Sequence, residues 1–268
     1  MAAPSRGAAA TVISGLLGSL FLLFLAGPVI GVVGSGAAEG FRLLLSDGEL
    51  QAALALTAKS ATLATLLAFL GATPIAWLLE RRRFRGRSLV AALLDIPLLI
   101  PHPVAGIALL LVLGRVTFAG RGLEMLGLHI TGSATGIVLA MLFVSSPLYL
   151  NAARESFAKV DPRYESVART LGDSPWRAFR RVTLPLSKRG LLAGAIVMWA
   201  RSVSEFGAIV ILVYHPQVAS VLIWERFNVS GLRGAVPVAA VLVLLAVIPL
   251  VLLRMLRGDE IRESPRAT

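Results

Sequence analysis

Arg201 and Glu205 are the residues whose types and spacing speak most directly of chemistry. They stand four apart inside an apolar stretch running from Leu191 to Val213. Four residues is about one helical turn, so guanidinium and carboxylate share a face and can pair. An ionised side chain in hydrocarbon costs about 3 kcal/mol or more unless it is paired or hydrated. The pair is therefore either part of a solute route or a structural pin between helices, and both readings stand at this stage. Ser204 and Gly207 add a hydroxyl and bare backbone beside it. Little else here suits bond-making chemistry. The three histidines, His102, His129 and His215, are dispersed, and cysteine is absent, which excludes disulfides and thiolate metal sites. No Gly-x4-Gly-Lys-Ser/Thr loop is present to cradle a nucleotide. No catalytic residue and no metal site is expected.

The elements that carry these residues must lie in a membrane. Of 268 residues 56% are hydrophobic and 15% charged, and the mean hydropathy is +0.80, too apolar for one soluble domain. The net charge of +11 is not a nucleic-acid signal, because the basic residues flank apolar runs, where they set orientation. Lipid is the expected surrounding, with no nucleic-acid partner. Six spans are expected, at about 11–34, 56–79, 89–113, 134–152, 190–213 and 235–256, within a single all-α transmembrane domain over residues 1–268. The first run exceeds the roughly 7–15 apolar residues of a signal-peptide core, so it is read as a retained span. In the second, Ala64, Ala68 and Ala72 put small side chains on one face, where another helix can approach.

The third span is interrupted by Pro97, Pro101 and Pro103, with Gly106 close behind. Each proline removes a backbone donor, so a straight helix is not expected, and such a break is tolerated at membrane depth only against protein or water. Residues 114–133 form a glycine-bearing outer loop, and 214–234 a second one with a short interfacial helix around Trp224. Five arginines between Arg81 and Arg87 mark the inner side. Placing them there also puts inside the basic residues of 154–189 and both termini, including Arg6, Arg262 and Arg266.

The longest polar interval, 154–189, reads as folded helices. The stretch from Arg163 to Leu171 has no breaker, and Gly172 can close it in a left-handed conformation. Asp173 or Ser174 can cap the next helix, with Pro175 in its first turn and Trp176, Phe179 and Val182 at helical spacing. Two short amphipathic helices joined at a glycine make a knob suited to a groove on another protein. A hairpin lying on the lipid surface is the competing reading.

Gly172, nine residues, then Val182, Leu184 and Pro185 resembles the signature loop of ABC-importer permeases, Glu-Ala-Ala, three residues, Gly, nine residues, Ile-x-Leu-Pro. Val167 and Ala168 fall on the two alanine places; Ser166 stands at the acidic place, with Glu165 one position earlier. The runs Asp95 to Ala108 and Ala200 to Ala208 are similar to permeases for molybdate, tungstate and sulfate. Ser204 to Leu212, Tyr214 to Pro216 and Leu222 to Phe227 most resemble the molybdate/tungstate branch.

The resemblance implies a type I importer-permease fold in the cell (inner) membrane, translocating a tetrahedral oxyanion. It implies that Glu165, Val167, Ala168, Arg169, Leu171, Gly172, Pro175, Trp176, Leu184 and Pro185 form the docking element for an ATPase. Pro97, Pro101, Gly106, Arg201, Ser204, Glu205 and Gly207 would line or support the pathway. ATP and Mg would sit on the partner, not in this chain. The implied partners are a second permease copy, two ATP-binding subunits and an extracytoplasmic substrate-binding protein. Some family members carry a cytoplasmic regulatory domain after the last span; here only Arg257 to Thr268 follows, so none is expected. A sulfate or thiosulfate permease is the alternative within the family. An ion-coupled secondary transporter is the alternative class, with Arg201 and Glu205 as the coupling pair; it would favour inverted repeats, which the sequence does not display.

Overall fold

Proline and glycine placement decides where the apolar runs become separate helices. The computed structural model describes residues 6–263, and every regular element among them is helical. In chain order these are α1 (Arg6–Ser46), α2 (Gly48–Arg81), α3 (Arg87–Leu99), α4 (His102–Leu113), α5 (Phe118–Met125), α6 (Ala134–Ala158), α7 (Pro162–Thr170) and α8 (Pro175–Ala178). A π-helical turn (Phe179–Thr183) then leads into α9 (Leu184–Val203), followed by α10 (Gly207–Leu212) and α11 (Ala219–Glu263).

Among the described residues, four helices are long and apolar enough to cross a membrane: Ala10–Ser46, Gly48–Arg81, Ala134–Ala158 and Ala219–Pro249. The α3–α4 pair makes a fifth if its two halves, bent by 116°, count as one span. Ile100 between them is extended (φ −81°, ψ 144°), the conformation that a following proline enforces. The segment expected as one span at 190–213 is helical but divided at Ser204–Phe206 into α9 and α10. Within 214–234 a helix begins at Ala219, as expected around Trp224, and the non-helical Gly231 (φ 62°, ψ −151°) breaks α11 before its long apolar part. The expectation that both termini are cytoplasmic falls on Met1–Ser5 and Ser264–Thr268, outside the described residues.

The chain forms two compact units. One comprises the described residues up to Gln51 with Ile223–Leu245. Here α1 and α11 meet backbone to backbone: a Cβ on Gly36 would fall 2.6 Å from the Val236 carbonyl oxygen, and one on Gly40 would fall 2.5 Å from that of Pro237. Asp47 caps α2 by accepting from Glu49 N (3.0 Å) and Leu50 N (3.1 Å). Arg226 reaches Asp47 Oδ2 (2.5 Å) and Glu49 Oε2 (3.1 Å). Burial pushes the Asp47 carboxyl up, but the Leu50 N–H and the Arg226 guanidinium outweigh it and hold it below the usual carboxylate range.

The other unit comprises Ala52–Leu222 with the described residues from Ala246. At its centre α6 packs along α9 and also meets α3, α4 and α10. The α2 face expected from the alanine spacing is buried at Ala64 and Ala68 and half-buried at Ala72. Two pairs of polar groups in this interior meet across helices: the Thr73 and Tyr149 hydroxyls are 2.6 Å apart, and Thr57 Oγ1 accepts from Ala219 N (2.9 Å).

Candidate functional site

The α7–α8 hairpin is built by its caps. Asp161 accepts from Arg163 N (2.8 Å) at the start of α7, with Pro162 in the first turn, where a missing N–H goes unnoticed. Gly172 ends the helix at φ +96°, a conformation that costs any other L residue about 1–2 kcal/mol. Ser174 then caps α8 by accepting from Arg177 N (3.3 Å), with Pro175 next.

The motif's terminal proline has its own consequence. Pro185 has no N–H, and its ring crowds the carbonyl four residues back. The helix widens just before it, with Leu184 N donating to Phe179 O in the π pattern. Phe179 is thereby buried between Trp77 (ring centroids 5.1 Å), Phe157 (5.9 Å) and Trp176 (5.3 Å).

Glu165 turns inward. It accepts from Arg81 Nε (3.1 Å), Trp77 Nε1 (3.3 Å) and the Thr183 hydroxyl, while Arg81 Nη2 donates to Val160 O (2.7 Å). The Arg81 and Glu165 side chains are 9% and 13% exposed, so the ion pair ties the hairpin to the end of α2 rather than facing outward. What the hairpin presents outward is Val167, Arg169, Leu171, Gly172, Pro175, Trp176 and Pro185, with Ala168 and Leu184 half-buried. An exposed rim of Val167, Leu171 and Trp176 is a large apolar commitment for a polar loop, as expected of a contact surface.

The second constellation lies where α9 breaks. Arg201 Nη2 is 2.8 Å and His102 Nδ1 is 2.7 Å from the same oxygen of Glu205. The guanidinium also lies 2.6 and 2.9 Å from the two imidazole nitrogens. One tautomer serves both neighbours, with Nδ1–H donating to the carboxylate and Nε2 accepting from Arg201. Glu205 is fully buried, and its other oxygen accepts from Ala208 N (2.9 Å), which caps α10. Ser220 Oγ donates to the Glu205 carbonyl (2.6 Å). The carboxylate thus pins the break, while the donors that bind it stay accessible, His102 at 37% and Arg201 at 28%. The exposed part of the cluster is therefore imidazole and guanidinium, not the acid. The pairing also neutralises a charge that would otherwise be buried alone.

The glycines explain how the broken halves come so close. A Cβ on Gly207 would lie 2.7 Å from His102 Cβ, and one on Gly106 would lie 2.7 Å from Ala208 O. Gly106, Arg201, Glu205 and Gly207 therefore converge where α4 meets α9 and α10. Pro101 flanks them as the cap residue of α4. Ser204 is exposed and donates to Arg201 O (3.0 Å), and Pro97 is buried in the last turn of α3.

The family described as "Binding-protein-dependent transport system inner membrane component" matches residues 72–257, a stretch holding both constellations. The molybdate/tungstate transport system permease protein of Thermococcus kodakarensis is 42% identical over 91% of this chain and 94% of its own. The chain belongs to this family of transporter permeases. The protein of the same name from Pyrococcus furiosus is 45% identical over 74% of this chain and 75% of its own. A bacterial ABC transporter involved in import of the polysaccharide alginate has the same fold, with TM-score 0.69 at 18% identity over 95% of this chain and 96% of that one. The permease is accordingly a multi-pass protein of the inner membrane.

Two features of this permease escaped the sequence reading. His102 was visible only as a dispersed histidine, yet it completes the Arg201–Glu205 cluster. The available signal was its place in a proline break that must face protein or water at membrane depth. Arg81, read only as one of the arginines marking the inner side, and Trp77, not singled out, are the partners of Glu165, and nothing local in the sequence marks that pairing.

Proposed function

We propose that this permease is the membrane-spanning subunit of an ATP-driven importer of a tetrahedral oxyanion, molybdate or tungstate. The observation carrying the substrate is the 42% identity to a molybdate/tungstate permease across nearly the whole of both chains. The nucleotide chemistry is supplied from outside: two ATP-binding subunits, each with Mg, seat the α7–α8 hairpins of two permease copies. The exposed Val167, Leu171 and Trp176 enter a groove on each ATPase. Closure of the ATPases over ATP moves the hairpins together, and the Arg81–Glu165 tie passes that displacement to α2. This is a rigid-body switch in which the nucleotide acts through its unequal affinity for the two states.

An extracytoplasmic binding protein selects the anion, since discrimination needs a desolvated, fully hydrogen-bonded site. Within the permease, Arg201 offers guanidinium N–H donors to the passing anion while Glu205 limits the net positive charge. That combination favours transient contact over capture. The test is to copurify the tagged chain from its native membrane, then reconstitute it in liposomes. One ATPase per permease, with ATP- and binding-protein-dependent molybdate or tungstate uptake, is expected. A chain that comes out alone and moves a solute on an ion gradient overturns the reading in favour of a secondary transporter. Sulfate uptake that outcompetes both metal oxyanions moves the assignment to the sulfate branch.

A further inference from the structure

Arg154, near the cytoplasmic end of α6, holds a buried Nε–H that meets no acceptor among the described residues. Its Nη1 has only a long contact, 3.4 Å, to Asn151 Oδ1. A buried donor left unmade is costly, and a bound acceptor is the simplest way for it to persist. Arg154 lines a cavity of about 720 Å³ together with Arg83, Arg87, Ser88 and Asp95. That volume is within the usual range for a small-ligand site, about 300–1,000 Å³. Helix α3 starts at this cavity behind Gly86 (φ +87°) with no side chain capping it, so its dipole adds positive potential there.

The charges around the cavity decide what fits. Arg87 is shared with Glu80 at 3.4 Å, Asp95 Oδ1 is held by Asn151 Nδ2 at 2.8 Å, and Arg83 has no ion-pair partner among the described residues. Three guanidiniums against two carboxylates leave one positive charge, suited to a singly charged phosphodiester rather than a dianion. The neighbouring outer turns of α3 are apolar and exposed at Leu89 and Leu93. The arginine-rich 81–87 loop places the cavity at the cytoplasmic leaflet.

We propose that this cavity seats the phosphate of an anionic phospholipid, with its acyl chains lying along α3 at Leu89 and Leu93. Basic pockets on the cytoplasmic side of membrane helices are suited to such headgroups. The seat is separate from the hairpin and from the His102–Arg201–Glu205 cluster, and does not depend on which oxyanion is carried.

The experiment is native mass spectrometry of the full-length chain in detergent, incubated with phosphatidylglycerol or phosphatidylcholine. One phosphatidylglycerol per chain is expected, with phosphatidylcholine retained at least roughly tenfold less. The double variant Arg83→Gln, Arg154→Gln is expected to lose phosphatidylglycerol roughly tenfold. Arg83→Lys with Arg154→Lys should keep most of it, and Arg82→Gln, outside the cavity, should be unchanged. Equal retention of the two lipids overturns the proposal, as does full retention by a glutamine variant that elutes like wild type in size-exclusion chromatography. Loss of lipid in lysine and glutamine variants alike also overturns it, because charge would then not be the cause. Displacement of phosphatidylglycerol by millimolar inorganic phosphate or molybdate reassigns the cavity to a free anion and likewise overturns it.

Discussion

Replacing Glu165 with alanine tests whether the hairpin is held from within. The substitution removes the acceptor of Arg81 Nε–H and Trp77 Nε1–H and frees the Thr183 hydroxyl, which can reorient. Arg81, only 9% exposed, keeps its bond to Val160 O but loses its counter-ion. Breaking a buried pair by removing one partner costs about 3–5 kcal/mol, and partial exposure puts this case near about 3. The nine residues of α7 are too few to hold a helix alone in water, so their protection must come from such anchors. A loss of about 3 kcal/mol is roughly a hundredfold rise in the open population.

The assay is amide hydrogen exchange across residues 162–172 in the purified permease. Glu165→Ala should speed exchange there by roughly a hundredfold, bounded by the segment's own stability. Glu165→Gln keeps an acceptor for Arg81 Nε–H and should cost only about 1 kcal/mol, hence less than tenfold. If Glu165→Ala leaves this exchange unchanged yet abolishes capture of the ATPase, the carboxylate acts at the partner surface and the internal tie is refuted.

Gly172→Ala faces open space, so its penalty is the left-handed backbone alone, about 1 kcal/mol; transport should fall while insertion and folding persist, as read by uptake and size-exclusion profile. Gly207→Val should lose folded protein outright, because even its Cβ would lie 2.7 Å from His102 Cβ; normal yield and melting temperature would contradict the close approach of α4 and α10. Glu205→Gln keeps an oxygen to cap Ala208 but loses the charge, so the permease should assemble with altered transport, whereas loss of the folded chain would make the cluster purely structural. The lowered Asp47 pKa means that its stabilising contribution is complete above the ordinary value of 3.8 and is lost as pH falls below it. Between pH 5 and 3 the wild-type melting temperature should therefore drop further than that of Asp47→Asn.

Much of this architecture is written locally in the chain. Apolar length marks four of the expected spans as long helices. The breaks at Pro101 and Gly172, and the widening before Pro185, follow from a missing N–H or a required φ, constraints that act within a turn or two. The signature spacing from Gly172 to Pro185 identified the family for the same reason, since a folded hairpin fixes which positions need which backbone. The partners of the charged residues were not legible in this way. Glu165 finds Arg81 84 residues away, and Glu205 finds His102 103 residues away. In lipid an apolar side chain can face either a neighbouring helix or the hydrocarbon at similar free energy, so hydropathy does not tell which face of a helix packs inward. The packing of α2 beside the hairpin, and of α4 on α10, made that choice. It turned the acid of the α7–α8 hairpin into an internal tie and a dispersed histidine into a member of the Arg201–Glu205 cluster.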